Sequence, residues 1–188
     1  MSELPWVKSY PPGVSWDLQV PAKPVYALLD EAVQRWPKNH ACDFLDKKLS
    51  YVQLGDLVAR AAAGFQKLGV GKGVHVGLFL PNTPHYLVAF FGVLKAGGTV
   101  VNYSPLYSEE ELLHQIEDSK TDFMVTLNLK ALYPKMRHML RESRLQKLIV
   151  GTLPEVLPFP KNWLFPLGKR REIGAGPNEA AHLSFQEG

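Results

Sequence analysis

The sequence predicts an α/β fold in which a doubly wound, largely parallel sheet carries helices on both faces. From residue 74 onward, apolar runs with the length of buried strands alternate with segments of helical periodicity, in the order β-α-β-α-β-α-β. Each connection is long enough to hold a helix, and right-handed crossovers place such helices against a parallel sheet. The alternation and the connection lengths together favour this architecture over an antiparallel one.

The chain is expected to begin with an extended lead-in over residues 1–23, where prolines and aromatic residues stand among turn formers. Pro24 is a suitable first residue for a helix, because its missing N–H would have no intrahelical partner there. Apolar side chains then recur at helical spacing until Pro37 ends the pattern. A first helix is therefore predicted between these two prolines.

A short strand pair and a long helix are predicted next. The expected hairpin has strands at 41–45 and 49–51 around a turn at 46–48. Ser50 and Gln53 have the spacing of a capping box, in which each side chain satisfies a free backbone donor at the start of a helix. Gly69 follows the last apolar position of this helix and supplies the left-handed residue that closes it.

The alternating part of the chain has its own start and stop signals. Thr83 and Pro84 are expected as the N-cap and first-turn residues of one helix, which Gly97 ends, and Ser108 with Glu111 forms a second capping box. The predicted elements are strand 74–80, helix 84–95, strand 99–103, helix 108–118, strand 123–127, helix 129–140 and strand 148–150.

The pattern divides the chain into three regions. Residues 1–23 form the lead-in and residues 24–151 the α/β subdomain. Residues 152–188 are predicted to be irregular, since prolines recur there too often for a long helix, and basic and aromatic residues accompany them.

The composition is that of an ordinary globular protein, with 46% hydrophobic and 21% charged residues among 188. Cys42 is the only cysteine, which excludes an internal disulfide and a multi-cysteine metal site and favours a cytoplasmic protein. No apolar run reaches the ~20 residues needed to cross a bilayer, and the start lacks the apolar core of a secretory signal.

Positive charge is concentrated in the later part of the chain. Residues 128–171 hold ten Lys or Arg against two Glu, whereas the rest of the chain is acidic. This asymmetry suggests an anionic partner, either a phosphate-bearing ligand or a membrane surface, with a solvated face as an equally weighted alternative.

Few residues qualify as ligand contacts from the pattern alone. The glycine-rich segment 69–73 leads from a helix into a strand, which puts it at the wrong end of the sheet for a phosphate loop and favours a helix cap. The loop 81–84 is better placed, although an N-cap role accounts for Thr83. The six histidines show no metal-ligand spacing, so no metal site is predicted and each is expected to be a surface or core histidine.

Several motifs resemble the AMP-forming acyl-CoA synthetases of the adenylate-forming family. LSYVQL at 49–54 is similar to the family's "L-[ST]-Y-x-[EQ]-L", and GVGKG at 69–73 with VGLFLPN at 76–82 is similar to "GVxKGDxVxxxLPN", although Val74 replaces the usual acidic residue. Residues 92–107 resemble the core stretch "G-x-x-K-A-G-x-x-x-x-x-x-x-P". With residues 111–119, they look most similar to the long-chain fatty-acid ligases.

The residues of this core stretch are expected to be structural rather than catalytic, because small residues allow a helix end to pack tightly on the sheet. They are Lys95, Ala96, Gly97, Gly98 and Pro105. Lys95 is expected in the last turn of its helix, where a cation complements the helix dipole.

The resemblance implies a parent enzyme that joins a fatty acid to ATP, giving acyl-AMP, and then transfers the acyl group to CoA. ATP, Mg²⁺ and CoA would be its cofactors. The family's triphosphate loop and mobile lysine domain do not occur here, so the chain is expected to be an incomplete part of a larger N-terminal domain, with no catalytic or cofactor-binding residues and no activity of its own. Its expected partners are the rest of the polypeptide and, in addition, a second copy in a homodimer, but no nucleic acid.

Two alternatives remain open at this point. The chain could be a stand-alone α/β module that binds a nucleotide or CoA without catalysis. Aromatic and basic side chains at Trp163, Phe165, Lys169, Arg170 and Arg171 could contact a membrane peripherally. A loop packed on the remainder of the protein explains the same residues and is favoured.

Overall fold

The structure, a computed structural model, describes residues 4–168 and 182–184. Two short 3₁₀ turns occur at Val7–Ser9 and Leu153–Val156. The helices are α1 (Tyr26–Arg35), α2 (Tyr51–Lys67), α3 (Pro84–Ala96), α4 (Glu109–Asp118), α5 (Tyr133–Glu142) and α6 (Lys161–Gly168). The strands are β1 (His40–Phe44), β2 (Lys47–Ser50), β3 (His75–Phe79), β4 (Thr99–Asn102), β5 (Phe123–Leu127), β6 (Lys147–Gly151) and β7 (His182–Ser184).

The predicted α/β architecture is confirmed. Strands β3 to β7 form one sheet in the order β4-β3-β5-β6-β7, and every pairing in it is parallel. The crossover from β3 to β4 runs in the opposite direction to those from β4 to β5 and from β5 to β6. Right-handed crossovers therefore place α3 on one face and α4 with α5 on the other. The helix contacts agree, since α3 packs on α2 and α4 packs on α5.

The core lies between this sheet and its helices. The side chains of β3, β5 and β6 are almost entirely buried, as expected for parallel strands covered on both faces. A smaller apolar cluster of Leu29, Leu54, Val58 and Val88 joins α1, α2 and α3. Helix α2 therefore forms an outer layer over α3, and α1 packs on both.

Gly77 has no side chain, which allows the side chains of Met124 and Tyr103 to pack directly against strand β3. A Cβ atom at this position would lie 2.6 Å from Sδ of Met124 and 2.8 Å from Cε2 of Tyr103. These distances are shorter than any normal contact. Strand β3, which lies between β4 and β5, can therefore carry only glycine here if the neighbouring side chains keep their places.

Both predicted capping boxes are present, and they fix the starts of α2 and α4. The Ser50 hydroxyl accepts from the Gln53 N–H while the Gln53 side chain accepts from the Ser50 N–H, and Ser108 and Glu111 make the same pair of bonds. Helix α2 is followed by Gly69 with φ +91°, as predicted from its position.

Two predicted boundaries were wrong, and residues 152–188, predicted to be irregular, contain the helix α6 and the strand β7, which pairs with β6 in the sheet. The hairpin turn lies at Leu45 and Asp46, whose φ values of 52° and 75° form a two-residue turn, so that Lys47 is already in the second strand. Helix α5 begins at Tyr133 rather than residue 129. The physical reason is Pro134, which has no N–H to donate and therefore occupies the first turn of the helix.

Candidate functional site

The strand order identifies the edge of the sheet where a ligand would bind. Along the chain the parallel strands are arranged 2-1-3-4-5, so the direction of winding reverses between β3 and β5. In open α/β sheets ligands bind beyond the carboxyl ends of the strands at such a switch point. The segments that leave this edge begin at Leu80 after β3, Asn128 after β5 and Thr152 after β6.

Thr83 occupies the N-cap position of α3, but its side chain does not cap the helix. The N–H of Tyr86, which a side-chain cap would bind, donates instead to the Thr83 carbonyl at 3.0 Å. Thr83 is 7% exposed, and its Oγ1 atom has no hydrogen-bond partner within the described residues. The prediction that capping accounts for Thr83 is therefore wrong for the hydroxyl group.

Two further polar atoms near this edge are buried without a hydrogen-bond partner among the described residues. They are Oγ1 of Thr126, within β5, and Oδ1 of Asn128, just after it. Burial of an unsatisfied polar group costs about 1–3 kcal/mol, so such groups are uncommon in the interior of a protein. Their clustering at the switch point distinguishes this edge from the opposite one.

His85, Glu155 and Thr152 form a partly buried polar cluster beside the switch point. Nε2 of His85 lies 3.2 Å from Oε2 of Glu155, and the Thr152 hydroxyl donates to Oε1 of Glu155 at 2.7 Å. Burial by itself would raise the pKa of the Glu155 carboxyl, but the hydrogen bonds from His85 and Thr152 outweigh burial and lower that pKa. Glu155 is therefore an anion near neutral pH, and each of its two carboxylate oxygens accepts a hydrogen bond within the cluster.

A cavity of about 470 Å³ opens between α2, α3, β2 and the turn Leu153–Val156. Its apolar lining consists of Leu49, Leu57, Ala61, Pro84, Val88 and Val156. Its polar lining consists of Lys47, Arg60, His85 and Glu155. Nζ of Lys47 donates to the backbone carbonyl of Glu155 at 2.8 Å, so this contact ties the small hairpin to the segment after β6.

The predicted core-stretch residues lie mostly at the other end of α3. Nζ of Lys95, in the last turn of α3, is 2.6 Å from Oδ1 of Asp30, and Ala96 is the last residue of the helix. Gly97 closes the helix with φ +91°. A Cβ atom on Gly98 would lie 2.6 Å from Cγ1 of Val70.

Pro105 lies in the turn after β4, at the carboxyl edge of the sheet. It is therefore separated from the other four core-stretch residues by the length of the strand. The packing at Gly98 and the helix closure at Gly97 agree with a structural role for this stretch.

The aromatic segment that follows residue 158 is largely exposed. Trp163 is 68% exposed and Phe159 is 84% exposed, whereas Phe165 is half-buried. The prediction for Lys169, Arg170 and Arg171 lies outside the described residues. Within residues 4–168 and 182–184, no helix combines the length and apolar character needed to cross a membrane.

His85, predicted to be a surface or core histidine, lies in the core at 2% exposure. The pairing of His85 with Glu155 and the contributions of Lys47 and Arg60 to the cavity were not predicted. His85 and Glu155 are seventy positions apart, and no spacing rule connects them. Across the described residues, no group of three His, Cys, Asp or Glu side chains is placed to hold a metal ion.

The fold and the switch-point edge define a doubly wound α/β domain of the kind that binds ligands at its carboxyl edge. The profile of the AMP-binding enzyme family matches residues 29–181. The chain belongs to this family.

Curated relatives of this chain include long-chain fatty-acid–CoA ligases. The long-chain-fatty-acid–CoA ligase of Bacillus subtilis (strain 168) is 34% identical over 182 residues, which are 97% of this chain and 32% of the relative. The ligase of the same name from Yersinia pestis is 31% identical over 147 residues, which are 73% of this chain and 26% of the relative. The chain thus spans about a third or less of the length of these proteins.

Solved structures show the same fold. A long-chain-fatty-acid-CoA ligase from Archaeoglobus fulgidus superposes with a TM-score of 0.64 at 22% identity, over 71% of this chain and 28% of that one. Coronafacic acid ligase from Pectobacterium brasiliense superposes with a TM-score of 0.68 at 16% identity, over 88% of this chain and 29% of that one.

Proposed function

We propose that this chain forms the N-terminal portion of a long-chain fatty-acid–CoA ligase. The observation that carries the proposal is the 34% identity to the Bacillus subtilis ligase over 97% of the chain. In the proposed reaction a fatty-acid carboxylate oxygen bonds to the α-phosphorus of ATP and pyrophosphate leaves. The thiolate of CoA then bonds to the acyl carbon, and AMP leaves with the electron pair of the broken bond.

In this proposal the 188 residues supply a scaffold rather than reacting groups. The sheet presents its carboxyl edge, with Thr83 and Asn128, toward the part of the protein that the relatives have in addition. The groups that hold ATP, Mg²⁺ and CoA belong to that additional part, which makes up about two thirds of the Bacillus subtilis relative. A cytoplasmic location fits these substrates.

A chimeric enzyme tests the proposal directly. Residues 29–181 would replace the aligned residues of the Bacillus subtilis ligase, and fatty-acid-dependent exchange of pyrophosphate into ATP would be measured. We expect exchange within about tenfold of the parent ligase. A chimera that folds, as judged by circular dichroism and a cooperative thermal transition, but shows no exchange with any fatty acid would contradict the proposal.

The isolated 188-residue chain separates this proposal from a stand-alone binding module. We expect no ATP–pyrophosphate exchange and no saturable heat of binding when ATP or CoA is titrated into the chain. Micromolar binding of either ligand by the isolated chain would favour the module. Light scattering on the same sample tests the proposed homodimer, which would scatter at twice the monomer mass.

The exposed aromatic segment is proposed to pack on the remainder of the longer protein, with an anionic membrane as the alternative. Phe159, Trp163 and Leu164 support a contact, because they are all exposed within six positions of the chain, and grouped exposed apolar side chains mark interaction sites. Flotation with anionic vesicles decides between the two, using the chain and its Lys169/Arg170/Arg171→Ala variant. Binding that the variant loses would favour the membrane, and equal or no binding would favour packing.

A further inference from the structure

The cavity between α2, α3 and β2 has the features of a binding site. Its volume of about 470 Å³ lies in the range of small-molecule sites, which run from roughly 300 to 1,000 Å³. Val88, Pro84 and His85 are buried and form its floor, while Arg60 is exposed and lies at its rim. The site thus has a mostly apolar interior and a cationic opening.

The charges on the lining do not balance. Lys47 and Arg60 are cations and Glu155 is an anion, which leaves a surplus of one positive charge when histidine is counted as neutral. The Glu155 carboxylate is already bonded to His85 and Thr152. Arg60 makes no ion pair with any residue in the described part of the chain, and Lys47 donates one hydrogen bond, to the Glu155 carbonyl, out of the three that an ammonium group can donate.

We propose that this cavity binds an aliphatic monocarboxylic acid, with its chain against Leu57 and Val88 and its carboxylate on Arg60 and Lys47. A single carboxylate matches the surplus of one charge, whereas a phosphate monoester would carry close to two negative charges. Arginine binds a carboxylate through two parallel hydrogen bonds, which orients the ligand. This second acid site is independent of the ligase activity proposed above and lies in residues that have no assigned part in that reaction.

The test uses the 188-residue chain and decanoate labelled with ¹³C at the carboxyl carbon. We expect a saturable shift of the ¹³C resonance, and an affinity that rises about fourfold for each methylene from hexanoate to decanoate, the factor for burying one CH₂. Decanol, which has the chain but no charge, is expected to bind at least tenfold more weakly. Absence of saturable binding, an affinity independent of chain length, or tighter binding of decanol or decyl phosphate would overturn the proposal.

A matched pair of variants on the same helix locates the head group. Arg60→Gln removes the rim cation, and Lys67→Gln removes another exposed cation, in the last turn of α2, which does not line the cavity. Arg60→Gln should weaken decanoate binding by at least about tenfold, the factor for losing a single charge-assisted hydrogen bond, while Lys67→Gln leaves it unchanged. Equal affinities in the two variants, both with unchanged thermal transitions, would refute the assignment. Loss of exchange activity in the ligase chimera would bear only on the ligase proposal.

Discussion

Nε2 of His85, in the first turn of α3, lies 3.2 Å from Oε2 of Glu155, in the turn that follows β6. Lys47 bonds to the carbonyl of the same glutamate, so Glu155 connects three parts of the chain that are distant in sequence. The contact with His85 therefore depends on the Glu155 side chain, whereas the contact with Lys47 depends only on the backbone at this position.

Glu155→Gln is expected to destabilise the chain by about 1–3 kcal/mol at pH 7, the range for losing a hydrogen bond to a charged group. The pKa of Glu155 is lowered in the folded state, so its contribution is present above the unfolded pKa near 4.5 and is lost as the pH falls through the folded value. The difference between wild type and variant should therefore shrink as the pH falls below about 4.5. Urea unfolding of wild type and variant at pH 7, 5 and 3.5 measures this difference in the free energy of unfolding.

Other carboxyl groups titrate in the same range, since the pKa values of Glu31 and Glu111 are also lowered. Both glutamates are present in wild type and variant, so their contributions to the free energy of unfolding cancel in the comparison. A difference that stays constant from pH 7 to 3.5 would contradict the role given to the Glu155 charge.

Gly98→Ala is expected to lower the free energy of unfolding by about 1–3 kcal/mol through overpacking. The added Cβ atom would lie 2.6 Å from Cγ1 of Val70 and 3.1 Å from Cγ1 of Val93, and both valines are buried. Gly71→Ala is the matched control. It lies in the loop that approaches Gly97, and its added Cβ atom would meet nothing within 4 Å. We expect a change below about 0.5 kcal/mol there, measured by thermal unfolding. Equal losses in the two variants would show that the packing at Gly98 is not tight.

Thr83→Val is expected to stabilise the chain by about 1 kcal/mol, because it removes a buried hydroxyl that has no hydrogen-bond partner within the described residues. Ser50→Ala is expected to destabilise it by about 1 kcal/mol, because the Ser50 hydroxyl does cap its helix. Urea unfolding of both variants tests the contrast. If both substitutions destabilise equally, the Thr83 hydroxyl caps α3 in solution.

Lys95→Gln is expected to change the stability by less than about 1 kcal/mol. The side chains of Lys95 and Asp30 are 33% and 39% exposed, and ion pairs at such sites contribute little. Asp30→Asn should have the same small effect, and the double variant should show weak coupling. A loss above about 2 kcal/mol in either single variant would mean that this pair supports the fold more than its exposure implies.

Local signals allowed much of the fold to be predicted. Capping boxes at Ser50 and Ser108 fixed two helix starts, since a cap depends on residues only three positions apart. The alternation of strand and helix patterns along the chain likewise predicted the parallel sheet. The hairpin turn was harder to predict from the sequence, because Leu45 adopts a positive φ that residues of its type rarely show.

The candidate site could not be predicted, because it is formed by contacts between distant segments. Neither the meeting of His85 with Glu155 nor the place of Arg60 beside them follows from any local spacing. The Thr83 hydroxyl was misjudged for a related reason. Whether an N-cap side chain bonds to its helix depends on the rotamer it adopts among its neighbours, and sequence type alone does not fix that.

The arrangement of the sheet has a consequence for synthesis on the ribosome. Of the strands in this sheet, β3 is made first, β4 then adds on one side of it, and β5 and β6 add in turn on the other side. Each newly made strand meets an edge that already exists, and none must be threaded between two others. The nascent chain can therefore assemble this sheet step by step while the remainder is still being translated.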